Sequence, residues 1–361
     1  MLEVLAWACA AIAVAGVLVE VSNLGLFPQI QPTAVSGASV DVYVAMRDEE
    51  ANAEAMLASL LAQPNVARVV IADDGSSDRT AALVEAIAIR DVRVTRIAVT
   101  SPSIGASPKA HALATAIAVS PILAPYVLFL DADLRLFPGA IGGMLATIEN
   151  SNVDALTAWP QVRTPSLWST LLAPSLTLFL LQALPMRLAR RNDPRFAAGN
   201  GQCFLIRREA YEGCGGHARL AAIVEDVALA RALTGGGYRI GLASAALIAA
   251  VCGYDGFRDH VRGLGRSLYY GAGSAGCVAV ALWQIAGFVL PALFLAMGLV
   301  PGAIGSIALF TARALAAWRM RESGIGVLLA PLAGAVTAAM ALAAAWDGAR
   351  GRIAWRGRAL R

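Results

Sequence analysis

Two blocks of apolar sequence bracket this chain, and they constrain its fold more than any other feature. Leu2 to Val21 is an N-terminal run long enough to cross a bilayer. Gly276 to Val300, Ala303 to Trp318 and Gly324 to Trp346 form a second block. In hydrocarbon every backbone N–H and C=O needs an internal partner, so such runs are expected as helices. The first and last C-terminal segments have spanning length; the middle one is shorter and carries Arg313, so it is expected to span marginally or to lie in the interface. The N-terminal run has Glu3 near one end and Glu20 near the other, with no basic n-region and no convincing small-residue cleavage site. It reads as an uncleaved anchor over residues 1–24 rather than a signal peptide. Composition agrees: 58% of residues are hydrophobic and only 15% charged, too apolar for an ordinary soluble protein.

Residues 38–270 have globular patterning and carry most of the charge, so one soluble domain is expected between the anchor and a C-terminal membrane block over 275–346. Basic clusters stand at Arg187 to Arg191, at Arg319 to Arg321 and in the tail 347–361. The positive-inside rule places all three in the cytoplasm, and the soluble domain with them. Three full C-terminal spans conflict with that placement, so one segment is expected to be re-entrant or interfacial. The net charge of +4 lies mainly in these clusters and points to a membrane surface, not to nucleic acid. Five cysteines without a Cys-x-x-Cys pair give neither a disulfide framework nor a zinc site.

Within the domain, strands alternate with helices. Val40 to Ala45 has strand composition and leads into a helix with Ala53, Met56, Leu57, Leu60 and Leu61 on one face. Val66 to Ala72 is a second strand; it ends in Asp73-Asp74-Gly75-Ser76-Ser77-Asp78, where Ser77 or Asp78 can cap the next helix. Val92 to Ala98 is a third, followed by a loop with Pro102, Gly105 and Pro108 and a helix that opens at Lys109. The pattern predicts an α/β fold with a mostly parallel sheet, whose ligands bind at the carboxyl ends of the strands.

Tyr126 to Leu130 is a short, wholly apolar run that reads as a strand buried on both faces. It ends in Asp131-Ala132-Asp133. Two carboxylates one residue apart repel each other unless a cation or a set of donors compensates them. Oxygen ligands of this kind suit Mg²⁺ or Mn²⁺; a solvated acidic turn is the plainer reading of an isolated Asp-x-Asp. Glu225-Asp226 stands at the start of a helix expected over Val227 to Leu233, where the dipole keeps a carboxylate ionised. An ionised carboxylate can serve as a general base, or simply as a cap.

These motifs, in this order, resemble family 2 glycosyltransferases of the GT-A fold. Val44 to Glu50, the Asp73 to Asp78 turn, Asp131 to Asp133, Gly201-Gln202, Arg207 to Tyr211, Gly215-Gly216 and Glu225-Asp226 carry the likeness over roughly residues 40 to 270. The anchor, the membrane block and the ending Ala354 to Arg358 resemble the branch that glycosylates membrane lipids, such as ceramide glucosyltransferases and hopanoid- or carotenoid-modifying enzymes. The resemblance implies donor binding by Arg47, Glu49, Asp73, Asp74, Lys109, Asp131, Ala132 and Asp133, with Asp131 and Asp133 reaching a divalent cation. It implies Asp226 as the base, and Gly201, Gln202, Glu225 and Arg266 as walls of the donor and acceptor site. Lys109 and His111 stand where related enzymes have Gly-Lys-Pro-His-Ala-Leu. Lys109 is either a phosphate contact or a solvated loop lysine, and His111 more often caps or fills a core.

Arg262-Gly263-Leu264-Gly265-Arg266-Ser267 replaces the Gln-x-x-Arg-Trp of processive polymer synthases, and its missing tryptophan argues against polymerisation. Ser166 to Leu188 is apolar, interrupted by Pro174 and Pro185 and followed by arginines; it reads as an interfacial helix guiding a lipid acceptor, or as a buried domain helix. The expected function is inverting transfer from a UDP-sugar to a hydroxyl or carboxyl of a membrane lipid, with the bilayer as a partner and no nucleic acid. A polyprenyl-phosphate glycosyltransferase and an inactive membrane scaffold are the alternatives.

Overall fold

The computed structural model describes residues 1–33, 37–100, 107–184, 186–220, 224–254, 256–355 and 358–359. Two compact units emerge: residues 27–161 with 186–251, and residues 1–26 with 162–185 and 252–361.

The first unit is built on a seven-stranded sheet. Its strands are β1 (Val40–Met46), β2 (Val66–Asp73), β3 (Val94–Ala98), β4 (Tyr126–Leu130), β6 (Ala155–Trp159), β7 (Cys203–Arg207) and β8 (Ile240–Ser244), in the order β3-β2-β1-β4-β7-β6-β8. A short β5 (Leu134–Leu136) pairs antiparallel with β9 (Ala249–Cys252) outside that sheet. Strands β3, β2, β1 and β4 are parallel, and β7 runs antiparallel between β4 and β6. This is the expected mostly parallel α/β sheet, with one reversed strand that periodicity does not reveal. All five residues of β4 are buried, as a central strand requires, each Leu or Phe contributing about 1.5–3 kcal/mol relative to exposure. Helices α2 (Ala53–Leu61), α3 (Thr80–Ala88), α4 (Pro108–Val119) and α5 (Ala140–Asn150) follow β1 to β5, and α7 (Glu225–Gly235) follows β7. Helix α4 starts where the sequence says it should: Pro108 fits the first turn, and the Ser107 hydroxyl accepts the Ala110 N–H. Asp78, not Ser77, covers the start of α3 by accepting the Thr80 N–H at 2.9 Å. The expected loop positions Pro102 and Gly105 lie outside the described residues.

At the far end of β1, Asp41 is fully buried and accepts from Arg68 and from the N–H groups of Leu123 and Ala124 at 2.7 and 3.1 Å. Burial by itself would raise its pKa, but the Arg68 guanidinium and these N–H groups outweigh it and hold the carboxyl below the ordinary aspartate range.

The second unit is helical. Among the described residues, four of its helices are long and apolar enough to cross a membrane: α1 (Leu2–Leu24), residues 257–296 beginning with α8 (Phe257–Gln284), α9 (Val300–Met320) and α10 (Ala330–Ala349). The middle C-terminal segment thus reaches spanning length. Arg313 is buried, with its guanidinium 3.2 Å from Glu322 and 3.1 Å from the Pro174 carbonyl. Inside an apolar bundle such pairing is how a charge becomes tolerable. Helix α8 starts well before the expected boundary at 275 and breaks at Gly273, where φ is +68°. Helix α10 presents Ala333, Gly334, Ala338, Ala341 and Ala345 to its neighbours, small residues that let helices approach closely.

Helix α6 (Leu167–Ala183), expected within the α/β domain, groups instead with these helices. Leu171, Leu172, Leu178 and Leu181 are buried, whereas Leu167 and Trp168 at its start are exposed. Pro174 is accommodated inside the helix, and its carbonyl receives Arg313. The Phe179 side chain and Pro185 lie outside the described residues.

Candidate active site

The parallel strands β2 and β4 flank β1 and end at the same edge of the sheet, so Asp73-Asp74 and Asp131-Asp133 share that edge. Strand β7 leads away from the same edge, and the residues before it form the next wall: the Gln202 carbonyl accepts the Asp131 N–H at 3.2 Å. Helix α7 then brings its first turn, Glu225 and Asp226, against that wall. Asp226 accepts the Gly201 N–H at 2.7 Å and its neighbour Val227 N–H at 2.7 Å.

Close approach here depends on glycine. A Cβ on Gly199 would lie 2.3 Å from the Asp226 carbonyl oxygen, and one on Gly201 would lie 2.9 Å from the Lys109 ammonium. Gly201 was expected at the site; Gly199 and Asn200 were not. Asn200 shapes the turn by donating its N–H to Thr157 at 2.8 Å and accepting the Gln202 N–H at 3.2 Å. The Gly-Asn-Gly spacing was the available signal.

Lys109 joins the two acidic motifs. Its ammonium donates to Asp131 at 2.6 Å and to the Gly201 carbonyl at 3.2 Å, and stands 3.1 Å from Glu225. The solvated-loop reading is thereby excluded. Burial would lower the Lys109 pKa, yet Asp131 and Glu225 hold it above the ordinary lysine range. Asp226 is pushed up to about 6, by burial first and then by Glu225. Its two oxygens keep further lone pairs beyond the backbone N–H bonds, so it can still accept a proton.

Asp133 is pushed up to about 7, by burial and then by the charges of Asp131 and Glu49. Glu49 accepts from Asn52 at 2.8 Å, and Asn52 accepts from Arg135 at 2.9 Å. Carboxylates that repel one another in a half-buried pocket are the donor set a hard divalent cation relieves. Among the described residues no group of three or more Asp, Glu, His or Cys side chains is placed to hold an ion unaided. Two carboxylates, with further oxygens from a bound diphosphate and water, match the way Mg²⁺ is commonly held beside phosphates. Asp131 and Asp133 fit that role; Ala132 between them is buried.

The Asp73-Asp74 turn is braced from below. Asp73 accepts Arg96 at 2.8 Å and the Ser76 N–H at 3.0 Å, while Arg47 donates to the Asp74 carbonyl at 2.8 Å. Arg47 is thus tied to the turn it was expected to stand beside. Arg96, on β3, is a positioning residue that no motif announced. His111, on α4, meets the Thr100 carbonyl at 3.1 Å and so ties the helix to the loop before it. A different histidine underlies the site: His217 is buried against Phe129 with its Nδ1 2.8 Å from the Tyr211 hydroxyl. Burial and then Lys109 push it down to about 3, so it stays neutral and acts as packing. Arg266 lies on α8, in the helical unit, and the α/β unit holds every other expected site residue.

Residues 41–215 match the model of the family described as Glycosyl transferase family 2. Among solved structures, the mannosyltransferase PcManGT from Pyrobaculum calidifontis, in complex with GDP-Man and Mn²⁺, is similar over 97% of this chain and 99% of its own, at 18% identity and a TM-score of 0.57. That likeness shows a common fold. TarS residues 1–349 from S. aureus, in complex with UDP-GlcNAc, align over 87% of this chain and 92% of their own at 16% identity and a TM-score of 0.42. Glucosyl-3-phosphoglycerate synthase from Mycobacterium tuberculosis, with Mn²⁺, UDP and phosphoglyceric acid, aligns over 71% and 86% at 17% identity and a TM-score of 0.44. No curated protein matches the sequence.

Proposed function

With a family 2 glycosyltransferase domain of GT-A fold over residues 41–215, we propose that this chain transfers one sugar, with inversion, from a UDP-sugar to a hydroxyl or carboxyl of a membrane lipid. The observation that carries the reading is Lys109 bridging Asp131 and Glu225 beside Asp226, which unites a diphosphate-facing motif with a candidate base. The four apolar helices support a lipid acceptor and a place in the membrane; the basic clusters at Arg187 to Arg191 and Arg319 to Arg321 favour the cytoplasmic side for the catalytic domain.

In this reading Asp226 takes the proton from the acceptor oxygen, which attacks the anomeric carbon as the bond to the diphosphate breaks and UDP leaves with the electron pair. One displacement inverts the centre. Asp131 and Asp133 would hold a divalent cation, whose charge offsets that gathering on the departing diphosphate. Lys109 adds a fixed positive charge at the same edge, and its grip on Asp131 and Glu225 keeps both motifs in register. Arg47, Glu49, Asp73 and Asp74 would face the nucleotide, and Gly201 and Gln202 would complete the wall.

The likeness to the mannosyltransferase bound to GDP-Man favours a second reading of the donor, a GDP-sugar. Mass spectrometry of lipids from cells carrying the intact chain or Asp226→Asn tests the function. A lipid hexoside present only with the intact chain supports it, and identical lipid profiles refute it. Competition between UDP and GDP for the purified protein decides the donor.

A further inference from the structure

A cleft of about 200 Å³ opens in the α/β unit away from the carboxylates. It is lined by the loop 151–153 after α5, by Arg239 and Ile240 at the start of β8, and by Arg190 and Asn192. Strand β6 is parallel to β8 and antiparallel to β7, which is antiparallel to β4. The amino ends of β6 and β8 therefore lie at the opposite end of the sheet from Asp131, and nothing in the transfer reaction uses them.

The charged side chains that line this cleft are of one sign. Two guanidiniums line it and no carboxylate does. Neither Arg190 nor Arg239 has an ion-pair partner among the described residues. The acids nearest in sequence are engaged: Asp193 pairs with Arg195 at 2.5 Å, and Asp154 accepts the backbone N–H of Arg239 at 2.8 Å. Asn152 and Asn192 hold left-handed backbone, with φ of +49° and +54°, at the two loops that bound the cleft. Their side-chain amides and the Ser151 hydroxyl supply neutral donors beside the arginines. Val153, Leu156 and Leu242 make the remaining wall apolar.

We propose that this cleft is a second binding site, for a phosphate ester whose anionic oxygens meet Arg190 and Arg239 and whose carbon portion rests on Val153, Leu156 and Leu242. A guanidinium matches a phosphate in geometry as well as charge, because it presents two parallel N–H groups to two oxygens. The volume exceeds that of a bare ion: a water molecule's share of the liquid is about 30 Å³, so the cleft has room for an organic group as well. A free phosphate ester and a phospholipid headgroup share this chemistry.

The test reads arginine modification by phenylglyoxal, residue by residue, with mass spectrometry of the full chain. One arm uses maltoside micelles with increasing glycerol 3-phosphate; the other uses phosphatidylcholine nanodiscs with and without phosphatidic acid. The expected result is saturable protection of Arg190 and Arg239, while Arg187 and Arg191 react as before; the arm in which protection occurs names the source. Arg190→Gln with Arg239→Gln should weaken binding of the same probe by about tenfold or more, and Arg187→Gln with Arg191→Gln should leave it intact. No saturable protection in either arm, or equal protection of all four arginines, overturns the proposal. The wild-type protection pattern decides the matter even where the double variant folds poorly.

Discussion

The Lys109 ammonium stands 2.6 Å from the Asp131 carboxylate, at the meeting point of two acidic motifs that are far apart in the sequence. With Glu225 at 3.1 Å on its other side, this lysine offsets charge that would otherwise drive the first turn of α7 away from the end of β4.

Removing that charge should loosen the site. Lys109→Met leaves Asp131 and Glu225 without their counter-ion and is expected to cost about 2–3 kcal/mol, the lower range for a broken, partly buried pair. Millimolar Mn²⁺ should recover part of the lost Tm, because a divalent cation can replace the missing positive charge. Thermal denaturation checks both; a Tm indifferent to the cation would remove Asp131 and Asp133 from the metal site.

Asp226→Asn should lower turnover by about 10²-fold or more while donor affinity stays close to normal. The pH profile gives an independent reading. A base must be deprotonated to act, and Asp226 is raised to about 6, so wild-type kcat/KM should climb as pH rises through about 6. The residual activity of the variant should lack that limb. An unchanged limb would assign the base elsewhere, first to Glu225.

Gly199→Ala would place a methyl 2.3 Å from the Asp226 carbonyl oxygen, and backbone cannot swing away as a side chain can. The start of α7 must shift, at a cost of about 1–3 kcal/mol. Turnover should fall far more than donor binding, since Asp226 moves while the Asp73-Asp74 turn does not. Equal loss of both would mean the whole domain is disturbed.

Asp41→Ala tests the fold away from the chemistry. It strands Arg68 and two backbone N–H groups, and should cost about 3 kcal/mol by denaturant unfolding. The folded pKa lies below the unfolded value, so the carboxylate stabilises the fold at neutral pH, and that contribution is lost as pH falls through the folded pKa. Wild type should therefore lose stability on acidification more steeply than the variant. Parallel acid curves would contradict the assignment.

The alternation of strands and helices and the acidic strand ends were legible because burial on both faces leaves near-continuous apolar runs, and polar residues cluster where the chain leaves the sheet. The reversed β7 was not, since Cys203 to Arg207 has the same composition whichever way it runs. Helix α6 was misplaced for a related reason. A run such as Leu171 to Leu181 is equally suited to an interface and to the middle of a bundle, and its surroundings decide. Any variant meant to probe acceptor contact should therefore change the exposed Leu167 and Trp168, not the buried Leu178 and Leu181. Arg313 shows the same limit from the other side: its partner Glu322 lies beyond the apolar segment, so hydropathy counted the charge without its compensation. At the site, the acids could be read from their motifs, whereas Arg96 and Gly199 matter only through neighbours brought to them by the fold.

The most direct measurement of the central claim is a two-phase transfer assay with the purified full chain in lipid nanodiscs. Radiolabelled UDP-glucose, UDP-N-acetylglucosamine and GDP-mannose are each supplied with Mn²⁺, and label is counted in the organic and aqueous phases. Cation-dependent label in the organic phase from a UDP-sugar, abolished in Asp133→Ala and reduced by about 10²-fold in Asp226→Asn, is the predicted result. Label that stays in the aqueous phase with every donor, or organic-phase label undiminished in Asp133→Ala, would contradict it.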